Sequence, residues 1–353
     1  MPSALVKPPR LSPGDTVAAV SLSWGGPSVF PNRFEAGKRQ LEETFGLRLI
    51  PSRHALADAQ WLAANPRARA DDLMEVMSDS SIRGAIASIG GDDSIRLLPF
   101  LDFAVLRANP KIVLGFSDTT VTHFAMLRAG VGSFYGPAIM AGFAENGGMF
   151  PYTIDSVRKT LFSSSPIGEI RPNPGGWTDE VLSWADAGNQ SRTRARKPNP
   201  GWQWLQGIGV HKGRLIGGCL EVLDWLRGTP VWPAAEEWAG AVLFLETSEE
   251  MPPPRDVTRM LRNMAATGAL WDLRGILIGR PFGAEKRFGE YDKAILEFVR
   301  QELGREDVPV IAHMDFGHTD PMLVLPYGAE TVLDTTRREI SIIEAAVADE
   351  KPH

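Results

Sequence analysis

One cysteine in 353 residues is the first constraint. Cys219 has no partner for an internal disulfide, and no C-x-x-C pair is present to grip a metal. Charge of one sign is scarce as well. With 37 Lys and Arg against 43 Asp and Glu, the net charge is −6, and no run is long enough to act as a nucleic-acid arm. The only basic cluster, Arg192, Arg194, Arg196 and Lys197, suits a solvated loop at least as well as a phosphate site. No apolar stretch reaches membrane-spanning length. Pro2, Pro8, Pro9, Pro13 and Asp15 interrupt the start, so no secretory leader is read there. These absences leave a soluble, cytoplasmic enzyme or binding protein, without membrane or nucleic-acid polymer as partner. The length suits about two domains, and 43% hydrophobic with 23% charged residues is ordinary for a globular chain.

Strand and helix patterns alternate through residue 165. Asp15–Ser21, Leu47–Ile50, Gly84–Ile89 and Ile112–Leu114 read as strands. Phe34–Phe45, Arg67–Met77 and Val121–Ala129 have helical spacing, the second with Arg67, Arg69, Asp71 and Asp72 outward and Leu73, Met74 and Met77 inward. Alternation of this kind predicts a three-layer α/β domain with a mostly parallel sheet over 1–165. Over 166–212 periodicity fades among prolines, glycines and the tryptophans Trp177, Trp184, Trp202 and Trp204, which predicts a linker and active-site loop. The tryptophans either pack that loop down or wall a substrate cleft with ring faces. A second apolar program spans 213–345. It includes strands at Ala241–Glu246, Gly275–Gly279 and Val308–Ile311, helices at Val257–Ala266 and Tyr291–Leu303, and closing strands in Leu323–Leu325 and Thr331–Ile343. This half is expected to end in a frayed polar tail after Ala345.

The stretch from Lys111 to Gly130 organises the chain. Its strand ends at Gly115, a tight turn carries Phe116, Ser117 and Asp118, and a helix follows from Thr119 or Thr120. A serine there presents its hydroxyl at the carboxyl edge of a sheet, beside the free amides of a helix N-terminus. Thr119 stands where a G-x-S-x-G elbow has glycine, and Ser117 and Asp118 would also serve as helix caps. Glu246 and His318 lie on loops leaving other predicted strands. A histidine base and an orienting carboxylate are what a serine hydroxyl needs to become a nucleophile. Gly90 and Gly91 end another strand, so the amides of Gly91 and Asp118 are candidate oxyanion donors. His123 falls about 240° around its helix from Ser117 and should face away. His313, Asp315 and His318 form a weaker metal alternative.

Five motifs carry a family resemblance: GFSDTT (115–120), GG (90–91), GGCLEVL (217–223), LFLETSEEMP (243–252) and FGHTDPMLVLP (316–326). In order and spacing they resemble the LD-carboxypeptidase family of serine peptidases, and within it the microcin C self-immunity branch. The resemblance implies Ser117 as nucleophile, His318 as base, Glu246 as its carboxylate, and Gly91 and Asp118 as oxyanion hole. It also implies that 213–345 is a smaller, β-rich α/β domain, with an interdomain site, a homodimer, and neither cofactor nor metal. The substrate implied is a murein tetrapeptide or an aminoacyl or peptidyl nucleotide. Gly90, Trp177, Trp184, Trp202 and Cys219 are the expected substrate-binding residues. Many members have Asn where Cys219 stands, which touches substrate preference. Two alternatives belong to other classes. Ser88–Ser94 (SIGGDDS) resembles the phosphate loop of NAD and lipid kinases, pointing to a nucleotide phosphotransferase; a catalytically inactive binding protein on the same fold is the other.

Overall fold

A computed structural model describes residues 4–349. Its strands in chain order are β1 (Thr16–Val20), β2 (Arg48–Pro51), β3 (Ile82–Ala87), β4 (Ile112–Gly115), β5 (Phe134–Tyr135), β6 (Gly168–Ile170), β7 (Gln203–Gln206), β8 (Val210–Cys219), β9 (Ala241–Glu246), β10 (Gly275–Gly279), β11 (Val310–Met314), β12 (Leu325–Pro326), β13 (Glu330–Asp334) and β14 (Glu339–Ile342). They form two mixed sheets. The first runs β12-β5-β4-β3-β1-β2, parallel except for β12. The second runs β6-β14-β13-β8-β9-β10-β11-β7, with β8 to β11 parallel and antiparallel strands on either side.

The central strands β4 and β10 are apolar throughout, as expected of parallel strands covered on both faces. Every residue of β4 and of β9 is buried, including the terminal carboxylate Glu246. One continuous apolar cluster joins the sheets: the Tyr135 ring lies 5.5 Å from Phe244, and Phe124 lies 6.1 Å from Trp238. The helix Thr120–Ala129 follows Ser117 and ends on Gly130 in the left-handed conformation, which glycine adopts at little cost.

Three expectations need correction. Residues 166–212 are not only a loop: β6 and β7 form the two edges of the second sheet. In the helix Pro66–Ser78, Arg69 and Asp72 are buried rather than outward. Arg69 makes a two-pronged ion pair with Asp93, at 2.6 and 2.9 Å, and Asp72 accepts hydrogen bonds from Ser52 and the His54 amide. A charge at an inward position satisfies the helical period as well as a methyl does, provided its partner arrives from elsewhere in the chain. The tail is ordered to the last described residues. Val347 is buried, and Ala348 exchanges backbone hydrogen bonds with Pro8 and Arg10. The rest of the expected frayed tail, 350–353, lies outside the described residues.

Candidate active site

Ser117 begins the turn that leaves β4. Its φ is +59°, a conformation that costs an L-residue roughly 1–2 kcal/mol and that surrounding contacts must hold. Two contacts do so. The Ser117 amide donates to Tyr135 Oη at 3.0 Å, and its carbonyl accepts from Thr120 Oγ1 at 2.7 Å. Thr120 Oγ1 also accepts from the Cys219 amide at 3.1 Å, which ties the turn to the end of β8. Gly218 makes that approach possible: a Cβ there would stand 2.6 Å from the Thr120 side chain, and φ is +141°.

The three side chains expected to act together meet. His318 Nε2 lies 3.2 Å from Ser117 Oγ, and His318 Nδ1 lies 2.7 Å from Glu246 Oε2. Ser117 comes from the first sheet and Glu246 from the end of β9. His318 comes from the loop after β11. All three stand beyond the carboxyl ends of parallel strands, where α/β folds hold ligands. Tyr135 donates its hydroxyl proton to the other oxygen of Glu246. The carboxylate is therefore held from two sides, and the Phe116 ring packs edge-on against His318 with centroids 5.0 Å apart.

The electrostatics at His318 are uneven. Burial works against the imidazolium, but Glu246 and then Glu249 outweigh it, and the pKa is pushed up to about 10. The Glu249 carboxylate reaches His318 Nε2 at 2.9 Å. That hydrogen bond from His318 holds the Glu249 carboxyl down at about 2. The groups facing the imidazole are Glu246 from β9, Glu249 from the loop after it, and Ser117 with Phe116 from the β4 turn. Tyr135 stands behind Glu246. The folded value lies above the unfolded one, so the stabilisation is complete below about pH 6.5 and is lost as pH rises through about 10. A base must be neutral to act, and kcat/KM reports the free enzyme. It is therefore expected to climb about tenfold per pH unit from about pH 6 to 7.5. A plateau already reached at pH 7 would contradict this.

The remaining expected residues divide. Gly90 packs directly on the serine, where a Cβ would lie 2.9 Å from Ser117 Cβ and 3.5 Å from the Asp118 amide nitrogen. Gly91 follows with φ +150°. The Asp118 side chain turns inward and accepts from the Ser94 amide at 2.8 Å, and burial raises its pKa. Trp177 is buried between the Arg280 guanidinium and the Lys197 ammonium, 4.8 and 4.5 Å from its ring centroid. Trp202 is buried too, donating Nε1–H to Asp315 at 2.8 Å. Neither offers a free ring face, so their expected place on a cleft wall is corrected: both pin the middle segment to the second sheet. Trp184 is half-buried, edge-on to Phe30 and under the Arg33 guanidinium. Cys219 is buried beside Glu246 in register, with Sγ 3.4 Å from Glu221.

Two other histidines have partners of their own. His123 is fully buried, its Nε2 2.9 Å from the Gly115 carbonyl and Nδ1 3.0 Å from Ser133 Oγ, and burial lowers its pKa to about 4. His313 faces Asp292, while Asp315 is taken by Arg280, Trp202 and Asn199. Among the described residues no group of three His, Cys, Asp or Glu is placed to hold a metal. Asp93 of the GGDD loop is committed to Arg69 and Arg96. Arg194, expected in a solvated loop, is nearly buried and pairs with Glu145 and with Asp320, two residues beyond His318. The sequence reading missed Tyr135 and Glu249. Tyr135 ends β5, the neighbour of the strand β4 that leads into Ser117. Glu249 lay in a carboxylate-rich stretch that suggests only solvation.

In sequence and in fold the chain is similar to known proteins. Residues 17–136 match the model of the LD-carboxypeptidase N-terminal domain, and residues 212–333 match that of the C-terminal domain. The microcin C7 self-immunity protein MccF of Escherichia coli is 29% identical over 97% of this chain and 96% of its own length. The crystal structure of an MccF-like protein from Streptococcus pneumoniae in complex with AMP superimposes with a TM-score of 0.84 at 30% identity, covering 93% of this chain and 98% of that one. MccF in complex with glutamyl sulfamoyl guanosine gives 0.80 at 27%, covering 97% and 100%. The chain belongs to the LD-carboxypeptidase family.

Proposed function

We propose that this chain is a serine hydrolase that cleaves the amide-type bond between an aminoacyl or peptidyl carboxyl and a nucleotide. The observation that carries this reading is the hydrogen-bonded series Ser117–His318–Glu246, drawn from the ends of two sheets. Ser117 Oγ attacks the carbonyl as His318 Nε2 takes its proton. Glu246 holds the imidazole in the tautomer with Nδ1–H inward and stabilises the imidazolium. The amides of Gly91 and Asp118 receive the developing oxyanion. His318 returns the proton to the leaving nitrogen, and water then hydrolyses the acyl-enzyme through the same base.

The nucleotide half of the reading has its own support. Trp24 donates its amide to the Gly90 carbonyl at 3.2 Å and exposes over a third of its surface. Its ring stands 6.0 Å from Phe30, which stands 5.8 Å from Trp184. An aromatic strip therefore begins beside the Gly90–Gly91 turn, and rings of this kind stack on bases at about 1–3 kcal/mol each. Solved relatives hold AMP and an aminoacyl sulfamoyl nucleoside. The test presents purified protein with an aminoacyl-sulfamoyl adenosine and, separately, with murein tetrapeptide. Release of sulfamoyl adenosine at kcat/KM at least about a hundredfold above the tetrapeptide, a 2.7 kcal/mol preference, is expected. The reverse ratio would assign the chain to murein peptides.

A further inference from the structure

His318 Nε2 has two acceptors within reach, Ser117 Oγ at 3.2 Å and the Glu249 carboxylate at 2.9 Å. Only the first contact belongs to a working general base. While Glu249 holds Nε2, the ring stays protonated and the serine proton has nowhere to go. Something must draw that carboxylate away during the reaction.

The surroundings indicate what. Glu246 is fixed by His318 and Tyr135, and Glu221 by the amide and hydroxyl of Ser248 at 2.9 and 2.7 Å. Glu249 is different: its side chain is 66% exposed, in the loop between β9 and the helix Pro254–Ala266. The base of that loop is anchored through Ser248, and Met251, with φ +51°, closes a turn onto the Ser248 carbonyl. The backbone is thus held while the carboxylate is free to swing. Its present position is close to the reacting centre: the two contacts to Nε2 put it at most roughly 6 Å from Ser117 Oγ. In an attack geometry the carbonyl carbon stands about 3 Å from the nucleophile. The α-nitrogen of an aminoacyl group is two bonds further, about 2.5 Å away. The α-ammonium and this carboxylate thus both stand within about 6 Å of Ser117 Oγ, close enough for the mobile side chain to swing onto the cation.

Resting on the hydrolase reading above, we propose that Glu249 recognises a cationic α-ammonium on the acyl side of the substrate, and that this cation draws the carboxylate off His318 and so frees Nε2 for Ser117. The resting ion pair is exchanged for an ion pair with substrate, and only a substrate carrying the cation completes the exchange. Acyl groups with a blocked α-nitrogen leave the imidazole clamped.

The experiment separates recognition from turnover. In the Ser117→Ala protein, calorimetry at pH 7.5 measures binding of alanyl-sulfamoyl adenosine and of its N-acetyl form. The free amine is expected to bind at least tenfold tighter. Adding Glu249→Gln should bring the two affinities within about twofold, and Glu249→Asp should keep part of the preference. Equal affinities in Ser117→Ala, a preference that survives Glu249→Gln, or no binding of the free amine would each overturn the proposal. Wild-type protein that discriminates in binding yet releases no sulfamoyl adenosine would instead count against the hydrolase reading alone.

Discussion

Replacing Ser117 by alanine is expected to lower kcat/KM by on the order of 10^4 or more, about 5.5 kcal/mol of transition-state stabilisation. No other hydroxyl is hydrogen-bonded to His318 Nε2 among the described residues, so nothing substitutes for the lost nucleophile. Residual turnover would come from a water activated by the same base beside the oxyanion donors. The fold should persist. The serine is held mainly through its backbone amide and carbonyl, which alanine keeps, and the left-handed φ is no worse for alanine in kind. A fluorophosphonate should label the wild type at this residue and leave the variant unmodified. Undiminished hydrolysis by the variant would remove the serine mechanism.

Glu246→Gln carries the second large effect, on the order of 10^3 to 10^4 in kcat. The reason is a proton count around one buried side chain. Glu246 accepts twice, from Tyr135 Oη–H and from His318 Nδ1–H. An amide has one accepting oxygen and one donating nitrogen. With the oxygen facing Tyr135, the NH2 group faces Nδ1 and makes it an acceptor. The ring proton then moves to Nε2, the wrong tautomer for removing the serine proton. Size and packing are unchanged, so the midpoint of thermal unfolding should move little. A loss of activity matched by an equal loss of folded protein would point to a structural role instead. Tyr135→Phe removes one donor to Glu246 without reversing the ring, but also the acceptor of the Ser117 amide, so its effect reports both contacts.

What could be read from the sequence followed from local pattern. Ile112–Leu114, Ala241–Glu246 and Gly275–Gly279 are short apolar runs ended by a turn residue or a carboxylate, and each forms the strand expected of it. The candidate serine, glutamate and histidine were legible because loops after parallel strands collect polar groups that the core rejects. Non-local pairing was not legible. Nothing in GEI at 168–170 or QWLQ at 203–206 announces a strand, because their partners, β14 and β11, lie more than a hundred residues away. The inward charges Arg69 and Asp72 misled for the same reason, since Asp93 with the Leu22 and Ser23 carbonyls, and Ser52 with His54, make those positions tolerable. Trp177 and Trp202 looked like cleft walls because composition records a ring without recording which of its faces is already covered.

The strand β12 follows the His318 loop by only a few residues, yet it joins β5 of the opposite sheet, at Tyr135. Thr178 and Asp320 exchange backbone hydrogen bonds between the histidine and that strand, at 2.8 and 3.0 Å. Between Met314 and Leu325 the polypeptide thus passes from one sheet to the other, with His318 at the crossing. A hinge that parted the sheets would tear this crossing, so access for the reactant falls to side chains at the cleft that can swing, Glu249 among them. Severing the chain anywhere between 171 and 202 would leave the front fragment without its outermost ribbon, and neither piece should mature alone. Co-expressed, the two fragments should find each other.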